Sequence, residues 1–246
     1  MRTLGKRVKG NLSGVQIPYP PPVLPLIMFL STLKALVKKL FLRIPVLKEF
    51  FGSRSARSFV FKEWAGRGYS SPSPHFVKQS VVLRNGIPGA NWVETGTYLG
   101  DTTELLALHS PRVITIEPDP VLYANAAIRF TNYSNIELIQ GISEEVFPKL
   151  LPGLAGKFCF WLDGHYSAGI THKGPNDTPI RYELAEIGKN LSNFKELVVM
   201  VDDIRCFDPR NQEYSTYPSK DYLVEWAAKN QLSWTIEHDI FVAKTN

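Results

Sequence analysis

The sequence predicts an α/β fold: a seven-stranded, mostly parallel sheet with helices on both faces and an antiparallel hairpin at its C-terminal end. Three observations predict it. Strand-like and helix-like segments alternate through residues 91–246, the pattern of strands joined by crossover helices. The first strand ends in a glycine turn, and a strand-terminal acid, Glu117, follows Gly96 by 21 residues, close to the spacing of about 20 at which a βαβ unit offers a carboxylate to a ribose. The chain closes with two apolar runs, Leu232 to Glu237 and Ile240 to Lys244, around His238-Asp239.

The elements follow in order. Residues 52–74 read as a linker, with Gly52-Ser53-Arg54-Ser55, Gly66-Arg67-Gly68 and Ser70-Ser71-Pro72-Ser73-Pro74 as breakers. A short helix covers His75 to Arg84, with His75 and Lys78 on its solvated face. Strands are predicted over 91–95, 112–117, 135–140, 157–162 and 196–202, and helices over 101–109, 120–131, 143–151, 178–191 and 219–229. Asp101 or Thr102 suits the cap of the first of these helices, and Ser143 the cap of the third, with Glu144 and Glu145 in its first turn.

Ahead of this core lies a different kind of chain. Residues 1–57 hold 11 lysines and arginines against one acid, Glu49, whereas residues 58–246 hold 17 against 22 acids. The net charge of +5 therefore belongs to the arm, which argues against a nucleic-acid partner gripped by the domain itself. Residues 1–22 are basic and then proline-rich, ending Pro18-Tyr19-Pro20-Pro21-Pro22, and read as extended or disordered. In residues 23–51 the apolar positions Ile27, Leu30, Leu33, Val37, Leu40, Phe41 and Ile44 recur at helical spacing among Lys34, Lys38, Lys39 and Arg43. The uncharged run from Val23 to Leu33 is too short to span a bilayer, which takes about 20 residues. A basic amphipathic helix lying on an anionic membrane surface is one reading, and a helix docked on its own domain or on a partner chain is the other. Two cysteines give no disulfide framework, so a cytoplasmic location, with or without peripheral membrane contact, is expected.

The stretch Glu94-Thr95-Gly96-Thr97-Tyr98-Leu99-Gly100-Asp101-Thr102 carries the first chemistry. Glycines without a Cβ let a backbone approach a ligand closely. A third glycine, needed for a dinucleotide fingerprint, is missing, because Thr103 follows Thr102. A pyrophosphate would be repelled by Glu94.

This pattern resembles the class I S-adenosylmethionine-dependent methyltransferases, whose first strand ends E/D-x-G-x-x-x-G and whose sheet is Rossmann-like with the last strand antiparallel. The resemblance implies that the turn (Glu94, Gly96, Thr97, Gly100, Asp101, Thr102) lies against the methionine part of S-adenosylmethionine. It also implies that Glu117, followed by Pro118, holds the ribose hydroxyls, and that Ser143, after the third strand, borders the adenine.

A second constellation follows. Phe158 to Leu162 is an apolar strand ending on Asp163, and Leu197 to Val201 is another ending on Asp202-Asp203. Ligands of open parallel sheets sit beyond the carboxyl ends of strands, so these acids gather on the rim that carries Gly96 and Glu117. Three carboxylates at one spot call for a cation, and magnesium takes oxygen ligands of this type. Adjacent Asp202 and Asp203 can serve one ion only if the chain turns immediately after Val201.

The arrangement resembles the metal-dependent O-methyltransferases of the catechol and macrocin types, which implies Asp163, Asp202 and Asp203 as ligands of a divalent ion, with Asp163 also beside the cofactor. One position departs: the catechol type has its base lysine three residues after the first acid, and here that residue is Tyr166. His165 is the better base candidate, its ordinary pKa lying near working pH, and Lys173 in the following loop is a second. The loop from Ala168 to Thr178 walls the expected acceptor pocket.

Together these readings point to metal-assisted O-methylation of a small polyhydroxylated acceptor such as a sugar, a glycolipid headgroup or a natural product. Two rivals remain open: a metal-independent methyltransferase in which His165 works alone, and a non-catalytic nucleoside-binding module held at a membrane.

Overall fold

The computed structural model describes residues 54–164 and 178–246. Two helices precede the sheet, α1 (Arg54–Gly66) and α2 (His75–Asn85). The core then runs β1 (Asn91–Thr95), α3 (Asp101–His109), β2 (Val113–Glu117), α4 (Pro120–Arg129), β3 (Ile136–Gln140), α5 (Ser143–Leu150), β4 (Gly156–Leu162), α6 (Ile180–Lys189), β5 (Phe194–Val201), α7 (Lys220–Lys229), β6 (Ser233–Glu237) and β7 (Ile240–Lys244).

Seven strands form one sheet in the order β3-β2-β1-β4-β5-β7-β6. The first five are parallel to their neighbours, while β7 runs antiparallel to both β5 and β6. The expected fold class is thus the observed one. The register sets the ends of β1, β2, β4 and β5 level: Thr95 lies beside Ile116 and Leu162, and Leu162 beside Val201.

The sheet alternates its side chains between two apolar layers, as the period of two requires. Val93, Phe158, Phe160, Val199 and Phe241 face Phe147 of α5, Leu184 and Ile187 of α6, and Leu223 of α7. Trp92, Cys159, Trp161, Met200 and Val242 face Val81 and Val82 of α2 and Leu106 of α3. The hairpin turns on His238 and Asp239, both at positive φ (47° and 72°), the backbone of a two-residue turn matched to strand twist. Both cysteines are buried and unbridged.

The first difference from the sequence reading is α1. Residues 54–66 form a helix rather than a linker, and its Trp64 is 3% exposed. The indole packs edge-on against Tyr69 at 5.0 Å and against His238 at 5.4 Å, and its N–H donates to the Ser70 carbonyl at 2.9 Å. The breakers at 66–74 end the helix and do not extend back over it. The amphipathic segment 23–51 lies outside the described residues, and no described helix is long and apolar enough to cross a membrane.

Candidate functional site

The glycine turn leaves β1 through three residues at positive φ: Gly96 (86°), Tyr98 (51°) and Gly100 (82°). Its glycines serve the chain's own packing. A Cβ at Gly96 would stand 2.5 Å from the Asp163 carbonyl oxygen, so the turn presses against the end of β4. A Cβ at Gly100 would collide with the Phe130 ring, so this second glycine makes room for an aromatic side chain.

Gly100, left-handed and without a side-chain cap, is itself the N-cap of α3, so neither Asp101 nor Thr102 caps it. Asp101 is instead paired with Arg129 at 2.8 Å, and Arg129 also holds Glu104 and the Leu99 carbonyl. Ser143 likewise is the first residue of α5 and not its cap; Ile142 holds that place.

Glu94 is 1% exposed, on the side of β1 that faces α3. Its Oε2 accepts from the Thr103 hydroxyl at 2.5 Å and from the Thr115 hydroxyl at 2.7 Å, while Thr97 and Thr115 share a hydrogen bond of 2.6 Å. Its Oε1 is buried with no hydrogen-bond partner. Burial lifts this carboxyl to about 8 against the pull of the two threonines, with the charges of Asp163 and Glu117 adding to the rise. Glu117, 3% exposed at the end of β2, accepts the Tyr98 N–H at 2.7 Å and the Asp119 N–H at 2.9 Å. It thereby ties the glycine turn to the next loop. Pro118 lies between, and Asp119 caps α4 through the N–H groups of Val121 and Leu122.

At the end of β5, Asp202 and Asp203 meet a different cation, while Asp163 at the end of β4 acts on Asp202 through its charge. The chain turns immediately after Val201: Asp203 is left-handed (φ 56°) and opens the short 3-10 turn Ile204–Cys206. Lys78 of α2 reaches into this turn. Its Nζ lies 2.7 Å from each Asp202 oxygen and 2.5 Å from Asp203 Oδ1. Arg205 grips both Asp203 oxygens and bridges to Asp239.

Lys78 is therefore no part of a solvated face; burial pulls its pKa down, and Asp202 and Asp203 more than restore it, leaving it above the ordinary lysine value. Burial, and then the charges of Asp163 and Asp203, push the Asp202 carboxyl upward, with Lys78 opposing. His75 stands at the same rim with its surface open to solvent, yet crowding holds its pKa down against the pull of Asp101 and Asp163.

Among the described residues no group of three or more His, Cys, Asp or Glu is arranged to hold a metal ion, so the expected Asp163–Asp202–Asp203 ligand set finds no support there. The base candidates His165 and Lys173 lie outside the described residues. Beside the acids is a narrow cleft with room for about one water molecule, its lining including Leu162, Gly164, Glu183, Asp202, Phe207 and Tyr217. Glu183, on the first turn of α6, is 2% exposed. The sequence carries no local motif at Glu183 or Arg205 that points to this site, and it places Lys78 on a solvated helix face.

No protein-family model matches the chain, and no curated protein does. Solved structures do. An O-methyltransferase from Bacillus cereus in complex with SAH matches 78% of this chain and 90% of its own, at 16% identity and a TM-score of 0.50. The N-methyltransferase NodS from Bradyrhizobium japonicum WM9 matches 68% of this chain and 92% of its own, at 18% identity and a TM-score of 0.47. Likeness at such identity speaks of fold alone: a Rossmann-like sheet shared with a solved O-methyltransferase.

Proposed function

We propose that this chain is an S-adenosylmethionine-dependent methyltransferase acting on a hydroxyl of a small polyhydroxylated acceptor: a sugar, a glycolipid headgroup or a natural product. The observation that carries the reading is one of adjacency. Gly96 of the cofactor-type turn presses on the Asp163 backbone, and the next residue, Gly164, lines the cleft that Glu183 and Asp202 also line. A cofactor along the first turn and an acceptor over the mouth of that cleft would meet at the end of β4, which is the requirement for in-line transfer.

The residues present fit the cofactor. Glu94 keeps a buried acceptor atom without a partner, suited to a donor such as a primary ammonium, and Glu117 ends β2 as an acceptor-only group suited to paired hydroxyls. When bound, S-adenosylmethionine supplies an activated methyl on a sulfonium leaving group. Thr97, Gly96 and Pro118 line the approach in this reading, Ser143 and Asp163 flank it, and Gly100, Asp101 and Thr102 shape the turn. His165, with Lys173 as second candidate, takes the proton of the acceptor hydroxyl. No divalent ion enters this reading, because Asp202 and Asp203, two of the three acids expected to bind one, are paired with Lys78 and Arg205. Residues 23–51 would bring such an enzyme to an anionic membrane surface, a fitting address for a glycolipid acceptor.

The test is methyl transfer by the full chain from methyl-labelled cofactor to fractionated small molecules. The expected product is a base-stable methyl ether, lost in His165→Ala. Label on an amine or in a base-labile ester contradicts O-methylation. Cofactor binding with no transfer to any fraction leaves a nucleoside-binding module.

A further inference from the structure

The acids after β4 and β5 pose a question of charge that the transfer reaction does not answer. A divalent ion bound there would need carboxylate oxygens at about 2.0–2.6 Å, free of competing donors. The donor set is committed otherwise. Asp202 Oδ1 accepts the Asp203 N–H at 2.7 Å and also faces Lys78 Nζ, while Asp202 Oδ2 accepts from Nζ at 2.7 Å. Asp203 Oδ1 takes Lys78 and Arg205, and Asp203 Oδ2 takes the second arm of Arg205 at 2.8 Å. All four oxygens of the pair thus meet an N–H donor. Three of them converge on one nitrogen, the place where an ion shared by the pair would sit. Lys78 is held there by α2, whose Val81 and Val82 are buried against the sheet, with its side chain only 13% exposed.

We propose that Lys78 is the resident cation of this acidic rim: its ammonium fills the position of the divalent ion that the Asp163, Asp202 and Asp203 pattern suggests, and the rim binds no divalent metal while Lys78 is in place. Lys78 is a positioning residue. It holds Asp202, a wall of the cleft, in a fixed orientation with a charge that cannot dissociate, where a metal site would depend on the supply of ion. Asp203 is steadied separately by Arg205, so the rim keeps its shape from two sides. The inference concerns cation binding and does not depend on the transfer reaction.

The test is electron paramagnetic titration of Mn²⁺ with the full-length wild type, Lys78→Ala, Lys78→Met and Lys78→Arg, each checked for folding. The wild type and Lys78→Arg are expected to leave the free-ion signal intact. Lys78→Ala, which leaves Asp202 Oδ2 without its donor and takes the ammonium away from Asp202 Oδ1 and Asp203 Oδ1, is expected to bind at least about tenfold more tightly. A merely structural lysine would not give this gain, nor its reversal by arginine. Wild-type binding as tight as that of Lys78→Ala overturns the proposal. So does a folded Lys78→Ala or Lys78→Met that gains nothing. If neither neutral variant folds, wild-type binding at sub-millimolar metal is enough to overturn it, and its absence together with a silent Lys78→Arg upholds it. Should transfer activity be found, a chelator is expected to leave it unchanged in the wild type. Should it never be found, the Mn²⁺ result stands alone.

Discussion

Glu94 is a carboxyl buried in a sheet, and its behaviour with pH follows from that position. Its value in the fold, about 8, stands above the ordinary carboxyl value of 4.5. Below about 4.5 both folded and unfolded chains hold the proton; between 4.5 and about 8 the fold holds it and the unfolded chain has lost it. Glu94 therefore lowers stability as pH rises through that window, by at most about 1.4 kcal/mol per pH unit, and the loss levels off above it. Chemical denaturation of wild type and Glu94→Gln at pH 5, 6, 7 and 8 is expected to give a stability difference that grows with pH in favour of the variant. A constant difference would mean that Glu94 is ionised in the fold. Glu94, Gly96 and Glu117 were legible because the turn and the acid that follows it lie within one βαβ unit, where chain spacing fixes spatial order. Lys78 was not, because its partners lie 124 and 125 residues away, and a lone lysine on a short helix looks like any solvated one.

At the scale of elements, β-branched and apolar runs fixed the strands to within two residues, since such runs have few other ways to be buried. The helix caps were misread. Asp101, Thr102 and Ser143 have the chemistry of caps, but Gly100 and Ile142 hold the places, and Asp101 is spent on Arg129. Helix α1 was missed because glycines and serines on both sides suggested a linker, while its one strong burial signal, Trp64, finds its ring partners Tyr69 and His238 only through the turn that follows and the distant hairpin. Trp64→Ala is expected to destabilise the fold by about 3 kcal/mol or more, the usual range for a buried tryptophan. Urea unfolding checks this; a loss below about 1 kcal/mol would mean that α1 does not pack as described.

The whole molecule divides its labour along one sheet. The order β3-β2-β1-β4-β5-β7-β6 puts the glycine turn, Glu117, Gly164 and Asp202 at neighbouring strand ends, so residues far apart in sequence line one rim. Alternation and the closing hairpin made this architecture readable. What the rim's acids bind was not readable, because sequence lists the carboxylates without saying which cation reaches them. The reading of that rim rests first on the cofactor. Calorimetric titration of S-adenosylmethionine into the full-length, folded chain tests it most directly. Binding at roughly micromolar affinity or tighter is the expected result. No detectable binding, in protein shown to be folded, would contradict it and leave the Gly96 turn without a ligand.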